Sequence, residues 1–146
     1  PGLELPASLY ADMGGSLMAS EAVLQATLMQ RSKGKGVRIE VALSAAAAYV
    51  GLPRTWGLTK PGAAVGGGHA GYRVYPCKDG RVAVAALEPH FAASLCGLVG
   101  ITATGIKTLF EPATHKRIAS WLLMQSRAEL ERLAVAHDIP LHTLPA

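Results

Sequence analysis

The chain has 146 residues, half of them hydrophobic and few of them aromatic, which is about one domain's worth of sequence and excludes a disordered or fibrous chain. A net charge of +4 permits an anionic ligand without calling for nucleic acid. Two cysteines, Cys77 and Cys96, are too few for a disulfide framework and lack metal-ligand spacing, and no apolar run reaches membrane-spanning length.

Residues 1–9 read as an extended lead-in, with no basic segment followed by an apolar one and hence no signal peptide. The start at Pro1 without an initiating Met suggests a piece of something longer. Next comes Tyr10–Ala11–Asp12–Met13–Gly14–Gly15–Ser16, an aspartate before two glycines, and a helical pattern from about Leu17 to Arg31 with Leu17, Leu24 and Leu28 recurring near helical spacing. Asp12 is open to two readings. It is a plain N-cap, a position that favours Asp, or it is a functional carboxylate held ionised by the helix dipole, with Gly14 and Gly15 letting a ligand approach the backbone.

Ser32–Lys33–Gly34–Lys35–Gly36 is a helix stop, and the run Val37–Leu43 reads as a strand. The cations Arg31, Lys33, Lys35 and Arg38 suit either a solvated helix end or a phosphate contact. Ser44 is the expected cap of a second helix through Val50, ended or bent by Gly51 and Pro53. One strand between two helices has the rhythm of an α/β layer but cannot form a sheet alone.

Pro61 to Gly71 is rich in Gly and Ala and includes Gly66–Gly67–Gly68–His69. Gly66, Gly68 and Gly71 match the spacing of a dinucleotide fingerprint, but a strand follows them where a helix is required, and that reading is set aside. A flexible hinge is the bland alternative.

The second half is predicted as a β-hairpin, Tyr72–Pro76 and Arg81–Leu87, turning at Lys78–Asp79–Gly80, with Pro76 on an edge. Pro89 starts a helix to about Gly100, and Pro112 and Thr114 lead into another through Trp121 and Met124. Ser126–Arg127–Ala128–Glu129 is a capping box for a last helix that buries Leu130 and Leu133, and the chain closes in an extended segment from Ile139 to Leu144. His69, His90, His115, His137 and His142 show no metal spacing, and no metal site is expected.

Three blocks carry a resemblance. The first is Asp12–Met13–Gly14–Gly15 with Arg31, Gly34–Lys35–Gly36 and Val37–Leu43. The second is Tyr72–Arg73–Val74–Tyr75, Asp79–Gly80 and Ala86–Leu87–Glu88–Pro89–His90–Phe91, and the third is His137–Asp138–Ile139–Pro140. In that order they resemble the family III CoA-transferases, a group that includes carnitine dehydratase-like proteins and the α-methylacyl-CoA racemases. The resemblance implies an α/β chain: a helix–strand–helix remnant of the large CoA-transferase domain over residues 1–60, a glycine-rich linker over 61–71, and a small α+β domain of hairpin, helices and final strand over 72–146. An N-terminal portion found in the family would be missing.

By that resemblance Asp12 is the nucleophile that moves CoA between carboxylic acids, and Glu88 is a second active-site carboxylate, although a glutamate before Pro89 also suits a helix start. Gly14, Gly15, Gly66, Gly67, Gly68 and His69 are the implied substrate and CoA contacts, the last four on a loop that closes over the site. Coenzyme A would enter as part of the substrate, with no permanently bound cofactor. Partners would be an acyl-CoA thioester, a carboxylic acid and a second subunit, in the cytoplasm, with neither nucleic acid nor membrane. Two alternatives stand. One is a racemase exchanging the α-proton, whose second base is a histidine upstream of the aspartate, where this chain has none. The other is a catalytically silent dimerisation or scaffold piece, since a fragment alone is expected to be inactive and to associate through apolar surface.

Overall fold

The computed structural model describes residues 8–102 and 105–145. The expected lead-in lies mostly outside them. The chain falls into two units, one ending at Trp56 and the other beginning at Gly57.

The first unit is helical. Helix α1 spans Tyr10–Lys33, α2 Leu43–Val50 and the single turn α3 Leu52–Thr55. Helix α1 thus begins well before Leu17, and Gly14 and Gly15 lie inside it instead of ahead of it. Glycine within a helix costs about 1 kcal/mol relative to alanine, and here the close approach of α2 offsets that. A Cβ on Gly14 would lie 3.2 Å from Val50 Cγ2 and 3.4 Å from Ala46 Cβ, and one on Gly15 would overlap the Leu43 side chain. Gly15 and Ala46 are buried at this crossing. Gly34, at φ 67°, ends α1 in the left-handed region with its N–H on the Gln30 carbonyl, 2.8 Å away.

Two local expectations fail here. The predicted strand from Val37 is coil through Ala42, and Leu43 already belongs to α2. A strand exists only by pairing, and no described segment offers this run a ladder. Its alternation still has a use: Val37, Ile39 and Val41 line a groove with Ala19, Ala22, Val23 and Ala26 of α1. Ser44 is not a cap either. Ala42 holds that position and no side chain caps the helix. Leu17, Leu24 and Leu28 are spaced for a buried stripe yet are exposed in this unit.

The second unit is the α+β fold. Strands β1 (Tyr72–Cys77), β2 (Gly80–Ala85) and β3 (Leu141–Leu144) form an antiparallel sheet in the order β1-β2-β3. Cys77 pairs with Gly80 across a two-residue turn, and Val82 pairs with Thr143. Pro76 sits on the edge strand β1, as a residue without a backbone donor requires. Alternate residues Val82, Val84 and Ala86 are buried, so one sheet face meets the helices.

Those helices are α4 (Pro89–Val99), α5 (Pro112–Met124) and α6 (Arg127–His137), the first two opened by proline. Ser126 caps α6 by accepting the Glu129 N–H at 3.2 Å. The reciprocal half of the predicted capping box is absent, because the Glu129 carboxylate turns to Arg132 instead, 2.6 Å away. Leu95, Ile118, Leu122 and Leu130 pack with the sheet's inner face as one core. Cys77 and Cys96 are buried free thiols within it.

Candidate functional site

The two candidate carboxylates fall in different units. Asp12 is the third residue of α1, in its first turn. Leu9 holds the cap position and no side chain caps the helix, so the N-cap reading of Asp12 fails. Its backbone carbonyl accepts the Ser16 hydroxyl at 2.8 Å, while its side chain is exposed and has no hydrogen-bond or ionic partner among the described residues. A free carboxylate near the open N–H groups of a helix start is chemically available as a nucleophile or base. Gly14 and Gly15 follow it, but their missing side chains make room for α2 within this unit.

Glu88 occupies the N-cap position of α4 in extended backbone, with no side-chain cap. Its carbonyl accepts the Ala92 N–H at 2.9 Å and its carboxylate is exposed. Leu87 and Pro89, on either side of it, line a cavity of about 220 Å³ together with His69, Ala92, Ala93, Gly105 and Leu109.

His69 is placed there by the glycine segment. Ala64–Gly68 form one wide helical turn broken at Gly66 and Gly67, tied back by Val65 N–H to the Leu58 carbonyl and Gly68 N–H to the Ala63 carbonyl. A Cβ on Gly66 would collide with the Lys60 carbonyl, and one on Gly68 with the Gly62 carbonyl. The segment is therefore packed, and the closeness of backbone to backbone is what requires glycine. Gly67 differs. It has φ 90° and open space around it.

His69 is buried, 1 % exposed, with its ring edge-on to Phe110 at 5.4 Å. Its Nδ1 accepts the Gly71 N–H at 3.1 Å. That bond needs the lone pair of Nδ1, so the neutral ring carries its proton on Nε2. Burial, and secondarily the charge His115 can carry, hold the imidazole below its ordinary range and keep it neutral. Nε2 is buried without a hydrogen-bond partner among the described residues. His115 on α5 braces the segment from outside: its Nε2 donates to the Gly68 carbonyl at 2.9 Å, and Arg73 Nη1 stands 3.5 Å from its Nδ1.

Of the other sequence candidates, His90 stacks on Phe91 at 3.8 Å and is exposed, as are His137 and His142. Arg31, Lys33, Lys35 and Arg38 are all exposed. Among the described residues no three His, Cys, Asp or Glu converge on a metal-binding cluster, and no helix is long and apolar enough to cross a membrane. Sequence reasoning missed the cavity, because Leu87, Ala92, Ala93, Gly105 and Leu109 carry no chemical signature and meet only in the folded unit.

Comparison with known proteins places the chain. In structure it is similar to Rv3272 from Mycobacterium tuberculosis in an orthorhombic crystal form, with TM-score 0.65, 15 % identity, and coverage of 98 % of this chain and 41 % of that one. It is equally similar to an aspartate-to-alanine mutant of Rv3272, with TM-score 0.68, 16 % identity, and coverage of 99 % and 41 %. The chain thus spans about two fifths of the length of these solved structures. A search among curated proteins finds no match. The family model described as CoA-transferase family III matches residues 4–145, and the chain belongs to that family.

Proposed function

We propose that this chain is the aspartate-bearing part of an enzyme that transfers CoA between carboxylic acids, with Asp12 as nucleophile. The observation that carries the proposal is the state of Asp12: exposed in the first turn of α1, free of any side-chain partner among the described residues, and not a cap. The family match over residues 4–145 supplies the chemical context.

In the proposed reaction an Asp12 oxygen attacks the thioester carbonyl of an acyl-CoA. The carbon–sulfur bond breaks, leaving a mixed anhydride and CoA thiolate. The thiolate then attacks the Asp12 carbonyl and expels the donor acid as carboxylate, forming an aspartyl-CoA thioester. The acceptor carboxylate attacks that thioester, and return of the thiolate to the new acyl carbonyl gives the product thioester and regenerates Asp12. Each step exchanges one leaving group for another, so one difficult displacement becomes several easier ones. The open N–H groups of the first turn of α1 are suited to the negative charge that develops. CoA takes part as substrate, and the scheme uses no resident cofactor.

Glu88, with its free carboxylate, is proposed as a second acidic group of the same reaction. The homodimer and the cytoplasmic location belong to the same proposal. Exposed Leu17, Leu24 and Leu28 on α1 offer an apolar face for a second copy, and two free buried thiols suit a reducing compartment.

The test incubates the full-length protein that carries this chain with a panel of acyl-CoA thioesters and carboxylic acids, beside Asp12→Ala. Transfer of CoA that vanishes in the mutant supports the proposal. Exchange of the α-hydrogen with deuterated water and no transfer would make Asp12 a base and the protein a racemase. Equal behaviour of mutant and wild type would sink both.

A further inference from the structure

The second unit contains a cavity to which the aspartyl chemistry gives no role. Leu87, Pro89, Ala92, Ala93 and Leu109 wall about 220 Å³ with hydrocarbon, and Gly105 adds backbone. His69 also lines it but offers it no hydrogen bond, because Nδ1 is taken by the Gly71 N–H and Nε2 is sealed from solvent. Nor does His69 bring a charge, since burial holds its imidazole below the ordinary range. Among the described residues no Lys or Arg lines the cavity. The nearest carboxylate along the chain is that of Glu88, exposed between the wall residues Leu87 and Pro89.

Charge and size decide what such a cavity can hold. A carboxylate entering it would lose its hydration with no cation to replace it, and Glu88 would repel it as well. A hydrocarbon chain meets neither cost. An apolar cavity of ~150 Å³ is enough for benzene, so this one takes a chain of up to about eight carbons. The limit depends on two small side chains on α4. Ala92 is buried, while Ala93 is exposed and part of the wall, which places it at the opening.

We propose that this cavity receives the hydrocarbon end of the transferred acid, so that the enzyme selects monocarboxylic acids with an aliphatic chain and rejects dicarboxylic ones, with Ala93 setting the length limit. The proposal rests on the transferase reading and on Glu88 belonging to the same reaction. It adds the substrate class, which two free carboxylates leave open.

The experiment measures kcat/KM of the full-length protein that carries this chain, with acetyl-, butyryl-, octanoyl-, dodecanoyl- and succinyl-CoA as donors and propionate as the common acceptor. The value should rise to octanoyl-CoA and fall about tenfold at dodecanoyl-CoA. Succinyl-CoA should stand about a hundredfold below butyryl-CoA, although the two acyl groups have equally many carbons. Ala93→Leu narrows the opening and should lower the octanoyl-to-butyryl ratio about tenfold. Ala93→Lys places an ammonium group there and should raise the succinyl-to-butyryl ratio about tenfold. Both substitutions fall at an exposed helical position, where folding tolerates them. Succinyl-CoA used as well as butyryl-CoA, dodecanoyl-CoA used as well as octanoyl-CoA, or either ratio unmoved by its variant would overturn the proposal. If transfer still requires Asp12, the transferase reading survives that result. Absence of transfer from every donor overturns the transferase reading, and the proposal with it.

Discussion

The Asp79 carboxylate accepts the backbone N–H of Arg127 at 2.8 Å, so the turn between β1 and β2 holds the first residue of α6. The Arg127 side chain returns toward the same carboxylate, with Nε 3.8 Å from Oδ2. A helix start leaves four N–H groups open, and here Ser126 satisfies one and a residue 48 positions earlier in the chain another. The hairpin and the last helix are thereby joined by a polar contact as well as by the core.

Asp79→Ala should therefore destabilise the second unit by about 1 kcal/mol, the usual worth of a helix-start acceptor. Asp79→Asn keeps an acceptor oxygen and should lose less than half of that, since an exposed ion pair contributes little. Urea unfolding followed by Trp121 fluorescence in a Trp56→Phe background reads both. Equal losses in the two variants would mean that the charge, and not the acceptor, holds the helix.

Neighbouring glycines should respond differently to alanine. At Gly68 an added Cβ meets the Gly62 carbonyl, a backbone atom that cannot swing aside, and Gly68→Ala should cost more than about 2 kcal/mol. At Gly67 the space is open and only the φ of 90° resists, so Gly67→Ala should cost about 1 kcal/mol and Gly67→Asn less. The same urea measurement ranks the three. A Gly68→Ala protein as stable as wild type would show that the segment is looser than its packing indicates.

His69 should make the second unit sensitive to acid. The unfolded chain protonates this residue near its ordinary 6.5, whereas the folded chain resists until a lower pH. Below 6.5 the unfolded state thus binds more protons, and stability falls with falling pH by up to about 1.4 kcal/mol per unit until the folded pKa is reached. Above 6.5 the residue contributes no pH dependence. His69→Gln should flatten the difference between urea midpoints at pH 7.5 and 5.5. Identical pH dependence in the two proteins would contradict a buried neutral imidazole.

Asp138 closes α6 at φ 49°, the one described non-glycine residue with positive φ. The Ile139 N–H reaches the Ala134 carbonyl at 2.9 Å, the bond of a left-handed helix end. Asp138→Gly should raise stability by about 0.5–1 kcal/mol in the same assay, because glycine reaches this conformation without a Cβ clash. A loss instead would assign the Asp138 side chain a contact of its own.

Much of the second unit was legible in the residues. The turn at Lys78–Asp79, the prolines at 89 and 112 and Ser126 each act over a few positions, and the elements they predict are present. The first unit was read less well for one physical reason: its outcome depends on partners distant in sequence. Gly14 and Gly15 look like room for a ligand until α2 lies against them. Val37, Ile39 and Val41 look like a strand, and without a ladder they turn their alternation toward α1 instead.

The site divides along the same line. The residues alone determined which groups are chemically capable: a carboxylate at Asp12, another at Glu88, and an imidazole beside the glycines, in an order that marks the family. Only the tertiary structure decided their states. Asp12 is free because the cap falls on Leu9, and His69 is neutral because the fold buries it and Gly71 holds its Nδ1. Exposure, tautomer and cavity are set by chain segments tens of residues apart, and local sequence carries no record of that convergence.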